Sequence, residues 1–164
     1  ASNLNADQVA ESLKTAAAHN LPPYQVLQPE YNLYGRASYE GALRDRAIEA
    51  GMGVVTYYSL ASGFLSGKYR SEADLKKSKR GSGIAKYLTP RGKAILNALD
   101  EVAATHAATP ADIALAWLIS REGVTAPIAS ATSVQQVEHF AKAAALKLST
   151  DDLVALDKAS AFQS

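Results

Sequence analysis

Apolar positions recur along this chain with helical spacing, and three times such a segment gives way to a glycine or asparagine, a short apolar run and a polar loop. From Asn5 the pattern is helical, with Val9, Leu13, Ala16 and Ala17 on one face. Asn5 and Gln8 form a capping box at its start, and Asn20 with Pro22-Pro23 ends it. Tyr24 to Gln28 reads as a short strand, followed by the polar stretch PEYNLYGR. Ser38 is placed to cap the next helix, with Leu43, Ala47 and Ile48 inward, Glu40 and Arg44 paired one turn apart, and Gly51 closing it. The apolar run from Gly53 to Tyr57 has strand length, and a run of this kind between helices suggests a parallel strand covered on both faces.

Thr89-Pro90 and Thr109-Pro110 each open a helix by a cap followed by a proline. The first buries Ile95, Leu96, Leu99 and Val102; the second runs to Ser120 and stops at Gly123. Thr125 to Ala129 is a third strand. Ser130 to Ser133 leads into a helix bearing Val137, Phe140 and Ala144, and Ser149-Thr-Asp-Asp introduces a last helix with Leu153, Leu156 and Ala159 inward. This alternation predicts parallel βα units joined by right-handed crossovers. Three strands do not close a barrel, for which about 250 residues are typical. The pattern therefore describes a small open sheet or one part of something larger, with residues 1–164 as a single incomplete domain.

The segment from Tyr58 to Leu88 has no clear periodicity, and a loop of this length inside a compact domain is usually functional or disordered. Its basic stretch from Lys76 to Arg80 reads as a solvated face in preference to a clasp over a ligand.

Composition narrows the chemistry. With 48% hydrophobic and 20% charged residues the chain is an ordinary folded domain, and a net charge of +1 gives no field to attract nucleic acid or an acidic membrane. No apolar run reaches membrane-spanning length and no secretory signal pattern opens the chain, so a cytoplasmic location is expected. Cysteine is absent, and His19, His106 and His139 are too scattered for a metal cluster, so no metal is assigned. A small molecule is the expected partner.

Each strand ends in polar residues on its C-terminal side, where α/β barrels keep their active sites. These clusters resemble those of the aldo-keto reductase family. The match extends over nearly the whole chain and ends in PADIALAWLISREGVTAPIASATSVQQVEHF. The resemblance implies the C-terminal part of a (β/α)8 TIM barrel. It assigns Ser2-Asn3 and Gln28 to the carboxamide of a nicotinamide ring and Tyr57 to stacking beneath that ring. The run Tyr58-Ser59-Leu60-Ala61-Ser62-Gly63, continuing to Lys68, corresponds to the loop around the cofactor pyrophosphate, and Ser130, Thr132 and Gln136 to the adenosine 2′-phosphate site. Taken alone, Ser2-Asn3 also reads as a helix-capping pair, Gln28 as a strand end, Tyr57 as core packing, and Thr132 or Ser133 as a plain N-cap.

The sequence departs from many relatives at three places, one of them Gln136, which stands where a basic residue often serves the 2′-phosphate. At the others, Tyr58-Ser59 stands where Ser-Pro is frequent, and His139-Phe140 stands where a Glu-Asn pair often serves the adenine. The implied cofactor is NADP, with NAD compatible. In the family, an Asp, Tyr, Lys and His tetrad reduces aldehydes and ketones from the first half of the barrel, and no catalytic residue is assigned here. Ala1-Ser2-Asn3 runs almost at once into a helix, so the chain reads as starting inside a fold. The leading expectation is the cofactor-binding part of a reductase, inactive alone, that pairs with an N-terminal half of the barrel which would complete the carbonyl site. The alternatives are a non-catalytic nucleotide-binding or regulatory module, and a half-barrel that self-associates through its open edges.

Overall fold

The computed structural model describes residues 1–77 and 83–162. It is an α/β arrangement: α1 (Ala6–Ala18), β1 (Val26–Leu27), α2 (Ala42–Glu49), β2 (Gly53–Thr56), α3 (Pro90–Thr105), α4 (Pro110–Ile119), β3 (Ala126–Pro127), α5 (Val134–Ala145) and α6 (Thr150–Ala159). The strands lie side by side in chain order, all parallel, with Val26 beside Gly53 and Val55 beside Ala126. Ser2 extends the ladder by a bridge to Gln28, and Glu30 bridges to Tyr57. Both outer strands are shorter than the apolar runs suggested. Pro127 has no N–H to lengthen its ladder, and Tyr24 lies outside the pairing altogether.

Cap chemistry explains most helix boundaries. Asn5 and Gln8 close the expected capping box on α1. Thr89 and Thr109 accept from Gly92 and Asp112, each ahead of a proline whose missing N–H costs the first turn nothing. Ser149 and Asp152 form a third box on α6. The expectation fails at α2. Its N-cap is Gly41, at φ +89 and without a side-chain cap, whereas Ser38 Oγ donates to the carbonyls of Glu30 and Gly35. Glu40 is likewise committed elsewhere, to Arg36 and to the hydroxyl of Tyr31, and Arg44 pairs with Asp45.

The core lies between one face of the sheet and the helices. Leu27 and Val54 meet Ile95, Leu96, Leu99, Ile113 and Trp117 there, all fully or nearly fully buried. The long segment after β2 belongs to this core, since Phe64, Leu65, Tyr69, Ile84 and Tyr87 are buried and the segment folds into short 3-10 turns. Lys76 lies in one of these turns, whereas residues 78–80 of the basic stretch lie outside the described residues.

The other sheet face is open: Gly53 and Val55 of β2 are half-buried and Val26 of β1 is 43% exposed, so the expectation that β2 is covered on both faces holds fully for one face only. The apolar stripe of α5 is similarly displaced. Only Ala143 is buried, and Val134 and Val137 are 76% and 55% exposed. No single helix among the described residues is long and apolar enough to cross a membrane.

The carboxylate of Asp157 on α6 accepts from Arg36, Arg121 and the Trp117 indole, with both guanidiniums over the Trp117 ring. Arg91 donates to the carbonyls of Tyr34, Ser160 and Ala161. Together these ties clamp α6 to the loop that follows β1.

Candidate functional site

The bridges from Ser2 to Gln28 and from Glu30 to Tyr57 bring three expected residues, Ser2, Gln28 and Tyr57, with Asn3 next to Ser2 in the chain, to the same end of the sheet. Ser2 Oγ donates to the Gln28 carbonyl at 3.0 Å, and Tyr57 Oη donates to Asn3 Oδ1 at 2.9 Å across 54 residues of chain. Asn3 makes this reach from φ +58, a conformation asparagine tolerates better than most residues. The side-chain amide of Gln28 makes no hydrogen bond among the described residues. Burial, then the neighbouring Glu30 and Tyr58, push the Tyr57 phenol upward, so it stays a protonated donor.

Beside this group the chain leaves β2 through an unusual backbone. Tyr58, Ala61 and Ser62 all have positive φ, between 47° and 58°, and Gly63 has φ +95. The loop is braced from below, where Ser59 Oγ donates to the Thr56 carbonyl and sits 3.2 Å from its hydroxyl, both residues buried. Phe64 stacks on Tyr87 behind the loop at 5.3 Å. Glycine suits position 63 by its φ, and a Cβ there would make only an ordinary contact, 3.8 Å from Lys68 Nζ.

Facing the loop is the start of α5. Ser133 is the N-cap, accepting from Gln136 N at 3.4 Å. Gln136 Oε1 turns back to accept from Thr132 N at 2.7 Å and from Thr132 Oγ1 at 3.3 Å, so Thr132 is not the cap. His139 Nδ1 lies 3.0 Å from the fully buried Asp112 carboxylate and so ties α5 to α4.

Loop and helix enclose a cleft of about 1040 Å³. Its walls hold nine of the expected residues: Tyr58, Ser59, Leu60, Ser62, Gly63 and Lys68 on one side, with Ser130, Thr132 and Gln136 on the other. Ser2, Asn3, Gln28 and Tyr57 do not line it and form the adjoining group at the strand ends. Ser66, Gly83, Ile128 and Ala129 also line the cleft and were not singled out from the sequence. Ser66 stood inside the quoted loop, but residue type alone carried no signal for the others. Among the described residues no cluster of three His, Asp or Glu side chains is placed to hold a metal ion.

The aldo/keto reductase family model matches residues 1–161. The chain is 31% identical over 143 residues to the L-glyceraldehyde 3-phosphate reductase of Escherichia coli O157:H7, covering 83% of this chain and 41% of that protein. It is 32% identical over 141 residues to a probable aldo-keto reductase 1 of Glycine max, covering 83% of this chain and 40% of that one. It is also 31% identical over 147 residues to a probable voltage-gated potassium channel subunit beta of Arabidopsis thaliana, with 87% and 45% covered. The chain thus spans less than half the length of these relatives. A match over nearly all of its residues, joined to parallel strands whose C-terminal ends converge on one cleft, establishes that the chain belongs to the aldo/keto reductase family.

Proposed function

We propose that the chain is the cofactor-binding, C-terminal part of a (β/α)8 barrel and that its cleft holds a nicotinamide dinucleotide, NADP or NAD, for the reduction of an aldehyde or ketone. The observation that carries this reading is the cleft itself, in which residues from the ends of two adjacent parallel strands face each other across about 1040 Å³.

The donor set fits such a molecule. Ser2, Asn3 and Gln28 offer the donors and acceptors a carboxamide needs. Tyr57, oriented by its bond to Asn3, offers a flat ring beside them. Lys68 and the left-handed backbone through Gly63 suit a pyrophosphate, and the first turn of α5 suits an anionic or ribose hydroxyl group. When bound, the cofactor supplies the hydride. These residues orient it and hold its charge, while proton donation to the carbonyl oxygen belongs to the tetrad of the complete barrel.

The test is a fluorescence titration of the chain with NADPH and NADH. Saturable binding that Lys68→Ala weakens by roughly five-fold or more is expected for a lost charge-assisted phosphate contact. Absence of saturable binding by both would sink the reading. The likeness to a plant protein named for a potassium channel supports a second reading, a nucleotide-binding module that serves another protein. Carbonyl-dependent oxidation of bound cofactor by the full-length protein separates the two.

A further inference from the structure

Asn32 is 1% exposed, and its hydrogen bonds point two ways. Oδ1 accepts from the N–H groups of Tyr34 and Gly35 at 2.9 and 2.8 Å, closing the turn after β1. Nδ2 donates at 3.0 Å to the carbonyl of Tyr58, 26 residues farther along and the first residue of the cleft loop.

Tyr58 is the residue of that loop whose conformation most needs explaining. It holds φ +52 although it is neither glycine nor asparagine, and its side chain is 54% exposed, so core packing does not hold it there. A conformation of this kind persists only where surrounding contacts over-determine it. The contacts available are two on the carbonyl, the Ala61 N–H within the loop's own turn at 2.6 Å and the buried Asn32 amide from outside the loop, and, one residue later, the bond from Ser59 Oγ to Thr56. The carbonyl of Tyr58 and the N–H of Ser59 share one planar trans peptide and point in opposite directions. With the carbonyl held by the Asn32 amide and the Ala61 N–H, the Ser59 N–H is turned the other way, and Ser59 and Leu60 are both cleft-lining residues. Neither of their backbone N–H groups donates to an acceptor among the described residues.

We propose that Asn32 is a positioning residue for the cleft: its buried amide holds the Tyr58 carbonyl and thereby presents the backbone donors of Ser59 and Leu60 to a phosphate of the bound dinucleotide. This rests on the dinucleotide reading of the cleft. Asn32→Asp keeps an acceptor for Tyr34 and Gly35 but replaces the donor by a negatively charged oxygen set against the Tyr58 carbonyl, and the ligand-free measurement below separates the loop's conformation from any repulsion of an anionic ligand.

At pH 7.5 the variant is expected to bind NADPH about ten-fold more weakly than wild type, the scale of one buried hydrogen bond lost from the Tyr58 carbonyl, which keeps its bond from Ala61. Ile95→Val, a core change in α3, provides a destabilised control whose affinity stays within about two-fold. As pH falls below about 5 the introduced carboxyl gains a proton and with it a donor, so the gap from wild type at the same pH should narrow. The wild-type reference at each pH removes the contribution of Glu30, whose carboxylate lies beside the same turn. Equal affinities for wild type and Asn32→Asp, or a loss matched by Ile95→Val, would overturn the proposal. A readout without ligand stands beside these: the backbone amide and Cα chemical shifts of Tyr58 should leave the left-handed range in Asn32→Asp, and unchanged shifts would also overturn it. Failure of wild type to bind any dinucleotide removes the reading of the cleft, whereas the shift measurement still decides whether Asn32 sets the loop.

Discussion

Replacing Gly92 by alanine should destabilise the protein, although the residue lies in a helix, where alanine is ordinarily the better former. Helix propensity alone favours alanine by about 1 kcal/mol. The surroundings reverse the sign. Gly92 is buried in the first turn of α3, and a Cβ there would fall onto the backbone carbonyl oxygen of Tyr87 and lie 3.1 Å from Phe64 Cζ. A side-chain end swings aside at little cost, but a backbone carbonyl moves only with its chain. Overpacking of this kind costs about 1–3 kcal/mol and more when backbone must shift. Taking about 3 kcal/mol against the propensity gain leaves a net loss of about 2 kcal/mol. In a chain of this size that corresponds to a Tm lower by about 4–8 °C. Thermal unfolding followed by circular dichroism measures it. Phe64 belongs to the turn that also carries Ser62 and Gly63, so dinucleotide affinity should fall with the stacking of Phe64 on Tyr87. A Tm equal to or above that of wild type would refute the packing argument and leave propensity in charge.

Asp157→Ala should cost on the order of 2 kcal/mol by urea denaturation, because it leaves the Arg121 guanidinium and the Trp117 indole N–H without their acceptor and takes from Arg36 one of its two carboxylates, with solvent near the one-third-exposed carboxylate moderating the larger penalty of a fully buried pair. Asp157→Asn, which keeps an acceptor for Trp117, should cost less. Burial pushes the Asp152 carboxyl upward, but hydrogen bonds from His106 and Ser149 outweigh it and hold the group below its usual range. A depressed carboxyl contributes stability above its unfolded value of about 3.9, lost as pH falls through the folded one. The urea midpoints of wild type and Asp152→Asn should therefore differ at neutral pH and converge from about pH 5 downward, and a gap constant with pH would contradict this. The open sheet face and the exposed Val134 and Val137 of α5 predict concentration-dependent self-association of the chain alone. Light scattering that reports a monomer across a hundred-fold range of concentration would count against it.

Local chemistry was legible in the sequence wherever a residue and its partner lie within one turn of chain. The Asn5 and Gln8 box and the Thr-Pro starts of α3 and α4 depend on contacts three residues apart, and each formed as expected. The same reasoning failed at Ser38 and Glu40, because tertiary partners outcompeted the local ones: the Glu30 carbonyl for the first, Arg36 and Tyr31 for the second. The cleft residues were legible through their resemblance to a family, since no periodicity marks Tyr58, Ser62 or Lys68. Asn32 escaped notice because its meaning depends on a carbonyl 26 residues away.

By itself, then, the sequence determined the helices, the order of the strands and the family to which the cleft residues correspond, because apolar period, caps and motif are all properties of neighbours along the chain. Only the tertiary structure decided which face of the sheet is covered, which side of α5 is left bare and where Gln136 and His139 direct their side chains. Those outcomes depend on which distant surfaces meet, and a buried donor or acceptor takes the partner that packing brings within reach.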